Sequence, residues 1–287
     1  MNLLSLATSA LGLFGQGRSP AAFLNLTVPR RGYRVEREIR YGSGVRHRMD
    51  VYAPDLTVTT AARRLPVVAF FYGGAFRAGR KSEYRFVGEA LATLGMVVAV
   101  PDYRIYPEAR FPDFLYDGAS AIAKLREIAA RHGGDPENLF IAGHSAGAYM
   151  TVMLGANRDY LRSHGGDVSW LKGVIALSGR YHESALQDSI AETIFRGPAR
   201  DETRPACFIA GRVPPMLLAA GAREQQVVLN AKRKLAEHLG CCGSDVEEVI
   251  YPGIGHAGIV AALAPGFRNR APVRNDIASF VARWSVH

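Results

Sequence analysis

The sequence predicts an α/β protein built on one mostly parallel, eight-stranded sheet with helices on both faces, and three observations carry that reading. Short apolar runs alternate with longer segments of helical character from Leu65 to Trp284. The runs are apolar along their whole length rather than at every second residue, as in strands covered on both faces. At 287 residues, 48% of them hydrophobic and 21% charged, the chain can bury one large core without dividing in two.

The elements follow in order. Met1 to Phe14 is mildly apolar with no Lys or Arg before Arg18, so it lacks the basic start of a secretory signal and reads as an amphipathic helix. Its expected partner is the site entrance, the protein's own core or another subunit, the last making a homodimer one of the readings. A lead-in punctuated by Gly15, Gly17, Pro20, Pro29 and Gly32 closes this segment, 1–32, and leaves 33–287 as the main domain. Strands at Tyr33–Tyr41 and Arg48–Tyr52, joined by Gly42-Ser43-Gly44, form a hairpin at a sheet edge. Strands are then expected at Pro66–Tyr72, Met96–Val100, Asn138–Ala142, Leu171–Leu177, Met216–Ala220 and Val246–Tyr251. Helices fall at Tyr84–Leu94, Leu115–Arg131, Ala146–Ala156, Gln226–Leu239 and Val273–Trp284. Between Ser178 and Val213 the pattern lapses into a polar stretch without clear period, an insertion expected to shape a pocket or to be a plain surface excursion.

Composition excludes several classes. The net charge of +9 comes largely from scattered arginines, and Arg34-Val35-Glu36-Arg37-Glu38-Ile39-Arg40 alternates like a strand with one wet face, not like a basic nucleic-acid stripe. The three cysteines, Cys207, Cys241 and Cys242, have neither disulfide-framework nor metal-ligand spacing, so no metal is expected and the cytoplasm is the expected compartment. No apolar run reaches the roughly 18 residues of a membrane span.

The chemistry centres on Gly143-His144-Ser145-Ala146-Gly147, which follows a strand and opens a helix. A sharp strand-to-helix turn of this kind exposes a serine hydroxyl, and glycines two positions either side let strand and helix approach. A serine hydroxyl is a weak nucleophile and needs a base, a group that orients the base, and donors for the oxyanion. His256 lies in a glycine-rich loop after the last strand, whereas His238 reads as a solvated helix residue, His182 falls in the insertion and His287 ends the chain. Glu224 is the only carboxylate in the loop after Met216–Ala220, its bland alternative being a surface pair with Arg223. Asp245, Glu247 and Glu248 sit at the wrong end of the sheet. The oxyanion site is expected at Gly73, Gly74, Ala75 and Ala146, with Gly74, Ala75 and Ala146 donating and Gly73 needed mainly for the turn.

The Tyr72-Gly73-Gly74-Ala75-Phe76 loop, Pro101-Asp102-Tyr103-Arg104 with Phe111-Pro112, Gly-His-Ser-Ala-Gly and the closing Gly253-Ile254-Gly255-His256 together resemble the α/β-hydrolase esterases of the hormone-sensitive-lipase group. The elbow is also similar to the feruloyl-esterase-like and arylformamidase-like branch. The resemblance runs from about Arg48 to the C-terminus and implies the α/β-hydrolase fold, no cofactor and a small-molecule carboxylic ester as substrate. This chain departs from the group's pattern in three ways. The usual His-Gly-Gly-Gly reads Tyr72-Gly73-Gly74-Ala75, the acid is Glu224 where aspartate is commoner, and the N-terminal cap is short. Asp102 is expected to be structural, bonding with Arg104 or the oxyanion loop.

The expected activity is that of a serine carboxylesterase on short-to-medium acyl esters, with Ser145, His256 and Glu224 as the catalytic set. An amidase of arylformamidase type on the same residues, and a ligand-binding homologue without catalysis, are the alternatives.

Overall fold

The computed structural model describes residues 20–55, 64–181 and 189–285. The helix expected over Met1–Phe14, together with His182 and His287, lies outside the described residues. The sheet has eight strands in the order β1-β2-β4-β3-β5-β6-β7-β8. They are β1 Tyr33–Arg40, β2 Arg48–Pro54, β3 Leu65–Phe71, β4 Val97–Pro101, β5 Gly134–His144, β6 Leu171–Leu177, β7 Met216–Gly221 and β8 Val246–Tyr251. The β1–β2 and β2–β4 pairs are antiparallel and all others parallel, so the expected hairpin does lie at a sheet edge.

The helices are α1 Pro20–Leu24, α2 Arg85–Ala92, α3 Asp113–Ile128, α4 Ala146–Ala156, α5 Arg158–Arg162, α6 Ser189–Ile194, α7 Gln226–Cys241, α8 His256–Ala261 and α9 Val273–Trp284. They cover both faces of the sheet. Successive strand residues face opposite ways. On β6, a Cβ at Gly173 would meet the Phe280 ring of α9, while Val174 meets Gly155 of α4. α4 is apolar all round and buried along its whole length, as such a helix must be.

Two boundaries shift for local reasons. β5 begins at Gly134, not Asn138, because Gly134 pairs with Leu65 across an irregularity that the polar Asp135-Pro136-Glu137 conceals in the sequence. α3 ends at Ile128 and tightens into a single turn over Ala129–His132, closed by Gly133 at φ +86°. The insertion is not aperiodic coil: among its described residues are α6 and short turns at Arg200–Thr203 and Pro205–Phe208, each too brief to display a helical period. Phe195, just after α6, packs on Phe76, Phe111, Phe114 and Tyr149 with ring centroids 5.5 to 6.0 Å apart. Tyr149 Oη also donates to the Thr203 carbonyl at 2.7 Å, which fastens the insertion to α4.

Parallel strands deliver their following loops to one edge. Tyr72–Ala75 after β3, Ser145 after β5, Glu224 after β7 and His256 after β8 therefore meet there.

Candidate active site

Ser145 stands alone between β5 and α4 with φ +54° and ψ −114°, a strained conformation for a residue with a side chain. Close approach sustains it. A Cβ on Gly143 would lie 2.3 Å from the Gly147 carbonyl oxygen, and one on Gly147 would lie 2.0 Å from that of Phe71. Both positions therefore exclude any side chain. The Ser145 N–H donates to Leu177 O at 2.9 Å, which ties the turn to the neighbouring strand.

The imidazole of His256 bridges the other two residues. Its Nε2 is 2.8 Å from Ser145 Oγ and its Nδ1 is 2.8 Å from Glu224 Oε1. The loops that carry Glu224 and His256 are zipped together by backbone hydrogen bonds from Ala222 to Tyr251 O and from Arg223 to Ile254 O, at 2.9 and 2.8 Å. Glu224 points inward, its side chain only 3% exposed against 37% for His256, so it is not a surface partner of Arg223. Burial opposes the charge on its carboxyl, yet the hydrogen bond of His256, the Ser178 hydroxyl and the charge of His256 together outweigh burial and hold its pKa below the usual value. Asp245, Glu247 and Glu248 pair instead with Arg212, Arg283 and Lys232.

The loop after β3 turns its amides by unusual backbone angles: Gly74 at φ +145°, Ala75 at +51° and Phe76 at +58°. A Cβ on Gly74 would lie 2.1 Å from Ala78 O. Gly73 serves differently from expectation. It is outside the positive-φ set, and a Cβ there would lie 2.9 Å from His144 Nδ1 and 3.0 Å from Ser145 Cβ, so it permits proximity to the serine rather than the turn. The N–H groups of Gly74, Ala75 and Ala146 have no acceptor among the described residues.

Tyr72, which replaces the usual histidine, is braced from three sides. Its hydroxyl donates to Asp102 Oδ1 at 2.7 Å and accepts from Arg46 Nη2 at 2.8 Å, and its carbonyl accepts from Tyr103 Oη at 2.7 Å. Its ring is stacked between Tyr103 and Tyr84, with centroids 4.7 and 5.2 Å away. Arg46 also donates to the Tyr103 and Gly79 carbonyls. Asp102, which thus bonds with the loop after β3 through Tyr72, also accepts the Lys81 N–H at 2.6 Å, and it does not bond with Arg104. Arg104 instead forks onto Asp117, which is also 3.1 Å from His47 Nε2. Burial raises the pKa of Tyr72 and Tyr103 well above the ordinary phenol value. Burial raises that of Asp102 too, against the hydrogen bonds and Arg46 charge that lower it.

Sequence reading missed Arg46 and Lys81 in this brace, since neither falls in a motif, and it gave no role to Tyr103, although Tyr103 lies in the Pro101-Asp102-Tyr103-Arg104 motif. His238 is also not solvated: it is half-buried with Nε2 3.0 Å from the Ile209 carbonyl. Among the described residues no group of three or more His, Cys, Asp or Glu could hold a metal, and no helix is long and apolar enough to cross a membrane.

The family model BD-FAE matches residues 49–239. A probable isoprenylcysteine alpha-carbonyl methylesterase of Arabidopsis thaliana is 30% identical over 77% of this chain and 51% of its own length. The esterase LipC of Mycobacterium tuberculosis is 29% identical over 88% of this chain and 66% of its own. The chain thus spans about half to two thirds of the length of these relatives. Among solved structures, a phosphonate-inhibited esterase B from Lactobacillus rhamnosis superposes with TM-score 0.77 at 17% identity, covering 97% of this chain and 94% of the other.

Proposed function

The chain belongs to the BD-FAE family of α/β-hydrolase esterases, and from that premise we propose that it is a serine carboxylesterase acting on short-to-medium acyl esters through an acyl-enzyme. One observation carries the reading: Glu224, His256 and Ser145 form an unbroken run of 2.8 Å hydrogen bonds beside three uncommitted amide donors.

The geometry supports each step. Ser145 Oγ attacks the ester carbonyl carbon as His256 Nε2 takes its proton, and Glu224 on Nδ1 holds the tautomer and stabilises the imidazolium. The carbonyl oxygen, now an oxyanion, accepts from the N–H groups of Ala146, Gly74 and Ala75, whose strained loop is set before substrate arrives. Collapse breaks the bond to the alkoxy oxygen, which leaves as alcohol with the proton from His256. Water activated by the same imidazole then attacks the acyl carbon and restores the Ser145 hydroxyl. The aromatic cluster beside Ala75, with Phe76 stacked on Phe114 at 4.1 Å, packs against the oxyanion loop. The reading includes a cytoplasmic setting, supported by free thiols at Cys207, Cys241 and Cys242.

The test is p-nitrophenyl acetate hydrolysis and fluorophosphonate labelling of the wild-type protein and Ser145→Ala. Turnover and label are both expected to vanish in the variant while thermal unfolding is unchanged; retained turnover overturns the assignment. N-formylkynurenine is assayed beside the ester, and a large preference for it overturns the ester reading.

A further inference from the structure

His144 lies next to the nucleophile but has no part in the proton path, and its side chain is buried at the junction of three loops. Its Nε2 is 2.9 Å from the backbone carbonyl oxygen of His256. A carbonyl can only accept, so Nε2 carries the hydrogen and a neutral ring leaves Nδ1 bare. That Nδ1 has no partner among the described residues and looks toward Gly73, where a Cβ would stand 2.9 Å away. The ring centroid is 5.0 Å from that of His256. The titratable groups that face it are His256 and Glu224, and burial first, then the His256 charge, pushes its pKa down to about 4. It therefore stays uncharged while its neighbour takes and returns a proton.

We propose that His144 is a positioning residue for the base: its Nε2–H, given to the His256 carbonyl, ties the loop that carries His256 to the strand end that carries Ser145. The same ring stands behind Gly73, so one side chain sets the spacing of elbow, base loop and oxyanion loop. Without the donor, the first turn of α8 loses its tether to β5 and the Nε2 of His256 is free to drift from Ser145 Oγ. The proposal rests on the reading of Ser145 and His256 as nucleophile and base. It adds a fourth side chain whose role is geometric.

Proton–nitrogen correlation spectra of the wild-type protein read the tautomer directly. The expected result is an Nε2–H imidazole for His144 from about pH 5 to about pH 8. An Nδ1–H tautomer, or a cationic ring in that window, overturns the proposal. Kinetics tests the consequence: His144→Met keeps apolar bulk and loses the donor, so kcat is expected to fall about tenfold or more with KM nearly unchanged. His144→Gln, which keeps an N–H, is expected to recover at least about a third of the wild-type kcat. Equal losses in the two variants, or none in His144→Met, overturn the proposal; if His144→Met does not fold, the tautomer decides. Ser145→Ala is measured in parallel, because turnover retained there sinks the nucleophile itself. Turnover lost there but untouched in His144→Met sinks only the role given to His144.

Discussion

The two sides of the proposed oxyanion pocket are built from different kinds of group. On one side Ser145, His256 and Glu224 form a hydrogen-bonded run centred on a partly exposed imidazole, the group proposed to take and return the proton. On the other, Gly73 to Ala75 are held by Arg46, Tyr72, Tyr103 and Asp102, and the two phenols are pushed far from ionisation by burial. A histidine in place of Tyr72 would put a ring that changes charge near neutral pH behind the oxyanion loop. The tyrosine puts there a phenol that burial keeps protonated.

The largest expected effects come from the titrating side. Glu224→Ala leaves His256 without its orienting carboxylate, and kcat for p-nitrophenyl acetate is expected to fall by about a thousandfold or more. A loss under tenfold would mean that another group holds the imidazole. Gly73→Ala joins the two sides, since its methyl would press on both Ser145 Cβ and His144 Nδ1. A fall of about a hundredfold in kcat is expected, because displacement of about 1 Å at a reacting group carries that cost. Unchanged kcat would show that the serine tolerates a wider gap.

Tyr72→Phe probes the fixed side by itself. The variant keeps the stacked ring but leaves Asp102 Oδ1 and Arg46 Nη2 without their shared hydroxyl, and a fall in kcat of about tenfold is expected from a loosened oxyanion loop. The pH midpoint of kcat/KM is expected to stay where it is in the wild type. Tyr72→His is the sharper variant, because it is expected to add a second pH-dependent limb to the profile. A single unchanged limb in that variant would break the distinction between the two sides.

Legibility in the sequence followed the same division. Strands β3 to β7 announce themselves because a sheet covered on both faces needs continuous apolar runs, and β6 and β8 have the expected boundaries. Ser145, Glu224 and His256 could be picked out because each lies in the loop after a strand, where a parallel sheet brings its loops together. The brace had no such signature. Arg46 sits in a hairpin turn 26 residues from Tyr72 and 57 from Tyr103, so only the folded chain brings them together. Arg104 and Asp102, two residues apart, suggested a local pair, but Asp117 from α3 offers Arg104 a forked contact that Asp102 cannot match. The role of Gly73 was hidden for a related reason: adjacent glycines signal a turn, and the sequence does not say which of them faces another strand's end.

The smallest expected effect concerns stability on the titrating side. The folded-state pKa of Glu224 is depressed, burial notwithstanding, by the hydrogen bond of His256, the Ser178 hydroxyl and the charge of His256. A depressed carboxylate contributes stability that is fully present above its unfolded pKa of about 4.3 and is lost as pH falls through the lower folded value. Glu224→Gln has no such contribution at any pH. The urea midpoint of the wild type is therefore expected to exceed that of Glu224→Gln at about pH 6, and the gap to close as pH falls toward about 2. A Glu224 gap that did not narrow in acid would place the carboxylate among the fixed groups and erase the contrast between the two sides.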